Sequence, residues 1–374
     1  MGGTVRTVLN VTNYLADRGF DIEIISVFRR QRKPFFEINP KINITVLHDL
    51  YNRQKYNATL KAKFINQFTR YKSLLIHKDE ESYKQFSLLT DTKLLLYLKS
   101  LKKGILVSTR PSLNLFVAKH APKHLIKVGQ EHINFDSHPE DLKRAIIKHY
   151  PKLDYLITLT EKDNEKYKQL FKNTDLDIRK IPNSINKTNC GLSDLNEKTI
   201  VAAGRLDYVK GFDLLIDAYK VVAKKHPDWK LKIFGSGAEK NNLTKQIQEK
   251  NLYNHVFLMG PTKHLQEELK KASIFVVSSR MEGFGLVIAE AMQCGVPVVS
   301  FDCPHGPSEI IKHGEDGILV ENGNTEKLGE EINRLIENEQ LRKQLGKNAC
   351  KNVKRFFVDN IGEQWDRFFR QLMR

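Results

Sequence analysis

Two cations and two carboxylates, each set at a glycine turn, carry most of the chemistry that this chain shows. In Arg280-Met281-Glu282-Gly283-Phe284-Gly285-Leu286-Val287-Ile288-Ala289-Glu290 the glycines follow the apolar run Ser273–Val277, which reads as a buried parallel strand. Leu286 to Cys294 has helical spacing, and Gly295 stops it. Glycines at such a turn let a ligand approach the backbone, and the new helix aims free N–H groups at an anion. Glu282 and Glu290 do not suit a phosphate, but they suit hydroxyls that need an acceptor. A sugar nucleotide offers both: a diphosphate for the helix terminus, a hexose for Glu282 and a ribose diol for Glu290. The same letters also fit a buried strand–turn–helix unit with one solvated Glu.

A second turn, Gly204-Arg205-Leu206-Asp207-Tyr208-Val209-Lys210-Gly211, follows the strand-like Thr199–Ala203. Lys210 stands at the start of the next helix, where the macrodipole disfavours a cation. An anion held between Arg205, Lys210 and that terminus would remove the conflict. In the first half, His132 follows directly on the strand Leu125–Gln130, at the end of a strand where open α/β sheets bind ligands. A lone His in such a loop is as often a plain hydrogen-bonder. Gly2-Gly3 opens a helix carrying Val5, Val8, Leu9, Thr12, Leu15 and Ala16 on one face. Such a turn is normally fed by a strand. Here the chain begins at the turn, so the expectation is an internal start or a sheet without its first strand.

The elements that must hold these residues alternate. Strand-like runs at Asp21–Val27, Ile42–Leu47, Ile105–Ser108, Leu125–Gln130 and Asp154–Thr158 are separated by helical patterns, the signature of a doubly wound parallel sheet. A polar, turn-rich stretch from Ile181 to Asn196 reads as a linker, and a second alternating series follows it. At 374 residues, two domains are the expectation. The chain is 40% apolar, with no run long enough to span a bilayer and no basic-then-apolar leader, so a cytoplasmic location is expected. The four cysteines form neither a CxxC pair nor a metal-ligand spacing. The net charge of +17 is uneven: residues 1–182 hold 33 Lys and Arg against 19 Asp and Glu, residues 183–374 hold 28 against 25. An anionic partner for the first half follows, and the basic amphipathic stretch Lys55–Lys78 would lie on an anionic membrane or pack as a surface helix.

Taken together, Gly2-Gly3, His132, Gly204-Arg205 with Lys210-Gly211, Glu282 with Glu290, and Cys303-Pro304-His305-Gly306-Pro307-Ser308-Glu309 resemble the retaining glycosyltransferases of family four. The resemblance covers the whole chain and is densest from 198 to 322. It implies an α/β chain of GT-B fold, two Rossmann-like domains facing an interdomain cleft: residues 1–184 on the acceptor side, residues 185–352 binding the nucleotide sugar, and helix 353–374 packing back on the first. It implies that Arg205 and Lys210 bind the donor diphosphate, Glu282 holds the transferred sugar, and Glu290 grips the ribose. His132 would contact the sugar, with Gly2, Gly3, Gly204, Gly283, Phe284, Gly285 and Leu286 lining the donor site. Configuration would be retained by front-face attack, with no metal and no cofactor beyond the UDP-linked donor. The acceptor would be a cell-envelope glycan, a teichoic-acid-like polymer or a lipid-linked glycan, met at the inner face of the plasma membrane.

Other classes fit less well. A metal-dependent transferase would need a DxD site, and Asp175-Leu176-Asp177 lies in a polar stretch and reads as solvated. A nucleic-acid binder would explain the charge, but no basic-aromatic module is present, so no nucleic acid is expected. A sugar-nucleotide epimerase of the same architecture and a non-catalytic scaffold subunit remain the alternatives.

Overall fold

A computed structural model describes residues 3–32, 34–51, 69–188 and 191–374. Two compact units divide the chain, the first comprising 1–182 with 362–374 and the second 183–361. Gly2 and most of the basic stretch Lys55–Lys78 lie outside the described residues.

The first unit opens with α1 (Gly3–Asp17), then β1 (Glu23–Arg29) and β2 (Asn43–Asp49), α2 (Leu88–Ser100), β3 (Ile105–Ser108) and α3 (Pro111–His120). β4 (Ile126–Gln130), α4 (Glu140–His149), β5 (Tyr155–Thr158), α5 (Glu161–Leu170) and β6 (Asp177–Lys180) complete its strand–helix alternation. Every strand pair is parallel, and among the described residues the strands form two sheets, β1-β2 and β3-β4-β5-β6. The two-stranded sheet is the less protected. No residue of β1 is fully buried, whereas β4 and β5 each end on three buried residues. β6 went unseen in the sequence because Asp-Ile-Arg-Lys has no apolar run. It is an edge strand held by Ile178, and the Asp177 read as solvated pairs with Arg179 at 2.7 Å.

The second unit runs β7 (Thr199–Ala203), α6 (Phe212–Lys225), β8 (Lys230–Phe234), α7 (Lys240–Glu249), β9 (Val256–Gly260), α8 (Leu265–Lys270), β10 (Ile274–Val277) and α9 (Leu286–Gln293). β11 (Val298–Phe301), α10 (Pro307–Ile310), β12 (Ile318–Val320), α11 (Thr325–Glu337) and α12 (Glu339–Asn352) follow. Its six parallel strands take the order β12-β11-β10-β7-β8-β9. β10 and β11 are buried along their whole length, which explains their uninterrupted apolar sequences. β9, at the edge, exposes Phe257 and Met259 and buries Val256.

The last helix, α13 (Val358–Leu372), belongs to the first unit from Gly362 onward. A Cβ on Gly362 would fall 2.4 Å from the Tyr14 ring, so glycine sets how closely α13 seats on α1. Phe368 meets Tyr155 edge-on at 5.3 Å and Phe369 meets Phe20 at 6.2 Å, adding aromatic contacts to the burial of Trp365.

Candidate active site

In the second unit the two glycine turns converge. Lys210 is the last residue of a short 3-10 turn, Tyr208–Lys210, capped by Asp207, whose carboxylate accepts the Lys210 backbone N–H at 3.2 Å. Gly211 follows in the left-handed region at φ 60°, and a Cβ there would lie 2.1 Å from the Ser278 carbonyl oxygen. Only glycine lets the two turns approach this closely. Ser278 in turn donates its hydroxyl to the Lys210 carbonyl at 3.1 Å. The turns, far apart in sequence, are thereby locked side by side.

Their side chains meet as well. Lys210 Nζ lies 2.5 Å from Glu282 Oε1, and Ser279 Oγ donates to the same oxygen at 2.8 Å. The Glu282 residue is 8% exposed, so its charge is matched by a cation and a hydroxyl rather than by water. The unfavourable placement of Lys210 at a helix start is offset inside the protein by this carboxylate. Arg205 behaves differently: its side chain is 69% exposed and sits 3.2 Å from Asp207. Gly204 donates its N–H to the Phe234 carbonyl at 3.0 Å, and its carbonyl would clash at 1.8 Å with a Cβ on Gly235.

Gly285, at φ 93°, caps α9, which begins at Leu286. Phe284 is buried against Phe356, and Gly283 lies between it and Glu282. Glu290 lies on the second turn of α9 and is 4% exposed. Glu282 forms a backbone bridge to His305, which itself takes a positive φ of 80° that non-glycine residues rarely adopt. Gly306 beside it has no room for a Cβ, which would meet Glu282 Cβ at 2.7 Å. Cys303 is fully buried, and burial, with the Glu282 charge adding to it, pushes its thiol up to about 12. Cys303 is therefore a packing residue and not a nucleophile at neutral pH.

Sequence reasoning missed three supports of this site. Ser279 holds Glu282; Asp213 makes a bidentate pair with Arg280 at 2.8 and 2.5 Å; and the Arg280 guanidinium lies 4.0 Å over the Tyr208 ring. Burial alone would raise the Asp213 carboxyl, but the Arg280 hydrogen bonds and charge hold it below its ordinary value. The pair clamps the 3-10 turn that carries Lys210. Its partners lie 67 residues apart, and no local pattern announces them.

In the first unit, Gly3 is the first residue of α1 and is exposed. His132 follows β4, and both of its ring nitrogens are shut off from water with no hydrogen-bond partner among the described residues. Burial, then the nearby Arg110 charge, lowers its pKa to about 4, so the ring is neutral at pH 7. Glu131 beside it is buried and accepts hydrogen bonds from Asn114 Nδ2 at 2.9 Å and from the Tyr150 hydroxyl. Ser108 Oγ donates to Asn114 Oδ1 at 2.6 Å, so one buried network ties the ends of β3 and β4 to α3.

The family model described as group 1 glycosyl transferases matches residues 186–352. An uncharacterized glycosyltransferase of Haemophilus influenzae is 30% identical, covering 97% of this chain and 95% of its own length. The chain belongs to the group 1 glycosyltransferases. It is 34% identical to an exopolysaccharide phosphotransferase of Streptomyces coelicolor, spanning 100% of this chain but 40% of that protein. It is 31% identical to a poly(ribitol-phosphate) alpha-N-acetylglucosaminyltransferase of Staphylococcus aureus, over 73% of this chain and 56% of that protein. Among solved structures, a mutant of Staphylococcus aureus TarM in complex with Fondaparinux, alpha-GlcNAc-glycerol and UDP matches with a TM-score of 0.78 at 20% identity, covering 99% of this chain and 97% of that one. The fold is GT-B, with two Rossmann-like units.

Proposed function

We propose that this chain transfers a hexose or N-acetylhexosamine from a UDP-linked donor to a cell-envelope acceptor, with retention of anomeric configuration. The observation that carries the reading is the Lys210–Glu282 pair, 2.5 Å apart, beside the glycine-capped start of α9. Lys210, with the exposed Arg205, supplies positive charge for a diphosphate, and the first-turn N–H groups of α9 supply donors. Glu282, fixed by Ser279, offers an acceptor oxygen to sugar hydroxyls, and Glu290 would serve the ribose. When the donor binds, its phosphates replace Glu282 as the partner of Lys210, freeing the carboxylate for the sugar. UDP as the nucleotide is supported by the complex described for TarM.

The chemistry follows from that placement. The bond from the anomeric carbon to the β-phosphate oxygen breaks while the acceptor oxygen forms its bond on the same face. The acceptor's hydroxyl proton passes to the departing phosphate oxygen, and UDP leaves. Lys210 and Arg205 stabilise the charge that grows on the diphosphate, the kind of preorganised electrostatics that lowers barriers most. The protein's own cations fill that role, so the proposed reaction uses no metal. The acceptor class is a glycan, a polyol-phosphate polymer or a lipid-linked glycan, in line with the polymer named for the Staphylococcus aureus relative. The excess of basic residues in the first half would bring the protein to an anionic surface at the inner face of the membrane.

The test is a screen of UDP- and GDP-linked hexoses and N-acetylhexosamines with poly(ribitol phosphate), poly(glycerol phosphate) and lipid-linked glycan acceptors, reading nucleotide release and product configuration. Acceptor-dependent UDP release, an α-product from an α-donor and activity surviving EDTA within about twofold are expected. Epimerised donor without transfer would overturn the reading, and so would an inverted product.

A further inference from the structure

The second unit is close to neutral as a whole, with 25 Lys and Arg against 23 Asp and Glu, yet one of its grooves is strongly basic. A cavity of about 450 Å³ opens between α12 and the segment Leu192–Leu195, and Lys343, Lys347, Lys351 and Lys354 line it. All four lysines are exposed. Asp194 is the one acidic residue in the lining. Lys343 is paired with Glu339 at 2.5 Å, whereas Lys347, Lys351 and Lys354 make no ion pair among the described residues. Lys270 adds a further cation beside this segment, its Nζ 3.6 Å from where a Cβ on Gly191 would stand.

The floor of the groove is built to be shallow in side chains. A Cβ on Gly346 would fall 2.2 Å from the Gly295 carbonyl oxygen, so two glycines bring α12 against the turn that ends α9. Leu192 and the half-buried Cys350 complete a largely apolar floor under a cationic rim. Lys343, Lys347 and Lys351 follow one another at intervals of four, so they share a face of α12 with a rise of about 6 Å per step. Like charges at this spacing destabilise a helix. A ligand that supplies negative charge at a comparable interval removes that repulsion. A linear chain fits a row of cations along one helix better than a broad, flat bilayer does.

We propose that this groove docks a polyol-phosphate chain, whose successive phosphates pair with Lys347, Lys351 and Lys354. The three-carbon spacer of a glycerol phosphate repeat allows one phosphate to meet each turn of the helix, and its carbons lie over the apolar floor. The site is separate from the chemistry: α9 runs from the Gly285 turn to Gly295 at the groove, eight residues or about 12 Å. It would hold a long acceptor without touching the reacting atoms. The proposal rests on the transferase reading for its occupant, a polyanionic acceptor rather than a neutral glycan.

The probe is a fluorescent glycerol-phosphate decamer titrated into the full chain, with a glycerol-phosphate dimer as the short control. Wild type should prefer the decamer by about tenfold or more. Lys347→Gln with Lys351→Gln and Lys354→Gln should abolish most of that preference and make the loss of affinity with salt shallower. Asp194→Asn, which can still accept the Asn196 N–H that Asp194 accepts at 3.1 Å, should tighten decamer binding about two- to threefold. A gain of that kind does not come from damage to the fold. UDP affinity should stay within about twofold in every variant, and KM for poly(glycerol phosphate) should rise in the triple variant with kcat unchanged. Equal decamer affinity in wild type and triple variant would make the lysines a solvated helix face, and a parallel loss of UDP affinity would make them part of the donor half; either overturns the proposal. So would weaker sedimentation of the triple variant with anionic vesicles while decamer binding stays intact, which would assign the groove to a membrane. The titration needs no turnover. Decamer binding through these lysines without any transfer would leave the site and sink the transferase reading, and transfer with an unaltered polymer KM in the triple variant would do the reverse.

Discussion

The Lys210–Glu282 pair puts a test of function and a test of stability on the same two residues. Lys210→Ala should lower kcat by about a hundredfold or more, because charge on the leaving diphosphate loses its partner. It should also cost stability, on the order of 1–3 kcal/mol, because Glu282 is left buried with Ser279 as its remaining donor. Lys210→Met with Glu282→Gln should recover most of that stability and none of the kcat, as thermal melts and initial rates would show; recovery of both would remove Lys210 from the chemistry. His132 gives the pH counterpart. Its ordinary value of 6.5 falls to about 4 in the folded protein, so between those values the unfolded chain binds a proton that the folded chain refuses. Its contribution is complete above about pH 6.5 and is lost as pH falls toward about 4, up to about 3 kcal/mol. Urea midpoints at pH 7 and pH 5 should therefore differ more for wild type than for His132→Gln, and equal differences would assign the acid sensitivity elsewhere. Lys210 and Glu282 were legible because residue type and spacing around glycine are local. Asp213 and Ser279 were not, since their meaning comes from partners brought close by the fold.

Among elements, the turns are tighter than the helices they feed. Gly211→Ala would force a Cβ to within 2.1 Å of the Ser278 carbonyl and require a left-handed φ from alanine. The Lys210 and Glu282 turns would separate, and the melting temperature should drop by several degrees, consistent with a loss of about 1–3 kcal/mol. Donor affinity should fall with it, and a variant that kept wild-type UDP binding would show that the turns need not be locked. The strands differ among themselves just as sharply. β10 and β11 are buried on both faces and were plain in the sequence as apolar runs. β1 is half-buried along most of its length and, among the described strands, pairs only with β2. Amides of Glu23–Arg29 should accordingly exchange with deuterium faster than those of Ile274–Val277, and equal protection would mean that half-burial does not loosen β1. β6 escaped detection because an edge strand can be polar where a central one cannot.

For the whole molecule, the two units carry very different charge. The first, 1–182 with 362–374, holds 36 Lys and Arg against 21 Asp and Glu; the second, 183–361, holds 25 against 23. Such an imbalance says nothing of fold, but it sets which surfaces approach. Part of it is concentrated: burial and then the charges of Lys148 and Lys152 lower the Lys119 pKa, and burial followed by these three lysines lowers His149. Lysines that repel one another at the ends of α3 and α4 gain most from an anionic partner, since it relieves their mutual repulsion. The expected behaviour is sedimentation with vesicles containing anionic lipid, weakening between about 50 and 300 mM salt as the screening length shortens. Lys119, Lys148 and Lys152 changed together to Gln should weaken it further while leaving UDP binding unaltered, because these side chains lie in the other unit from Lys210 and Glu282. If neutral vesicles bind equally well, the surface charge does not recruit a membrane. The basic unit would then serve a polyanionic acceptor in solution, whose association rate should show the same salt dependence.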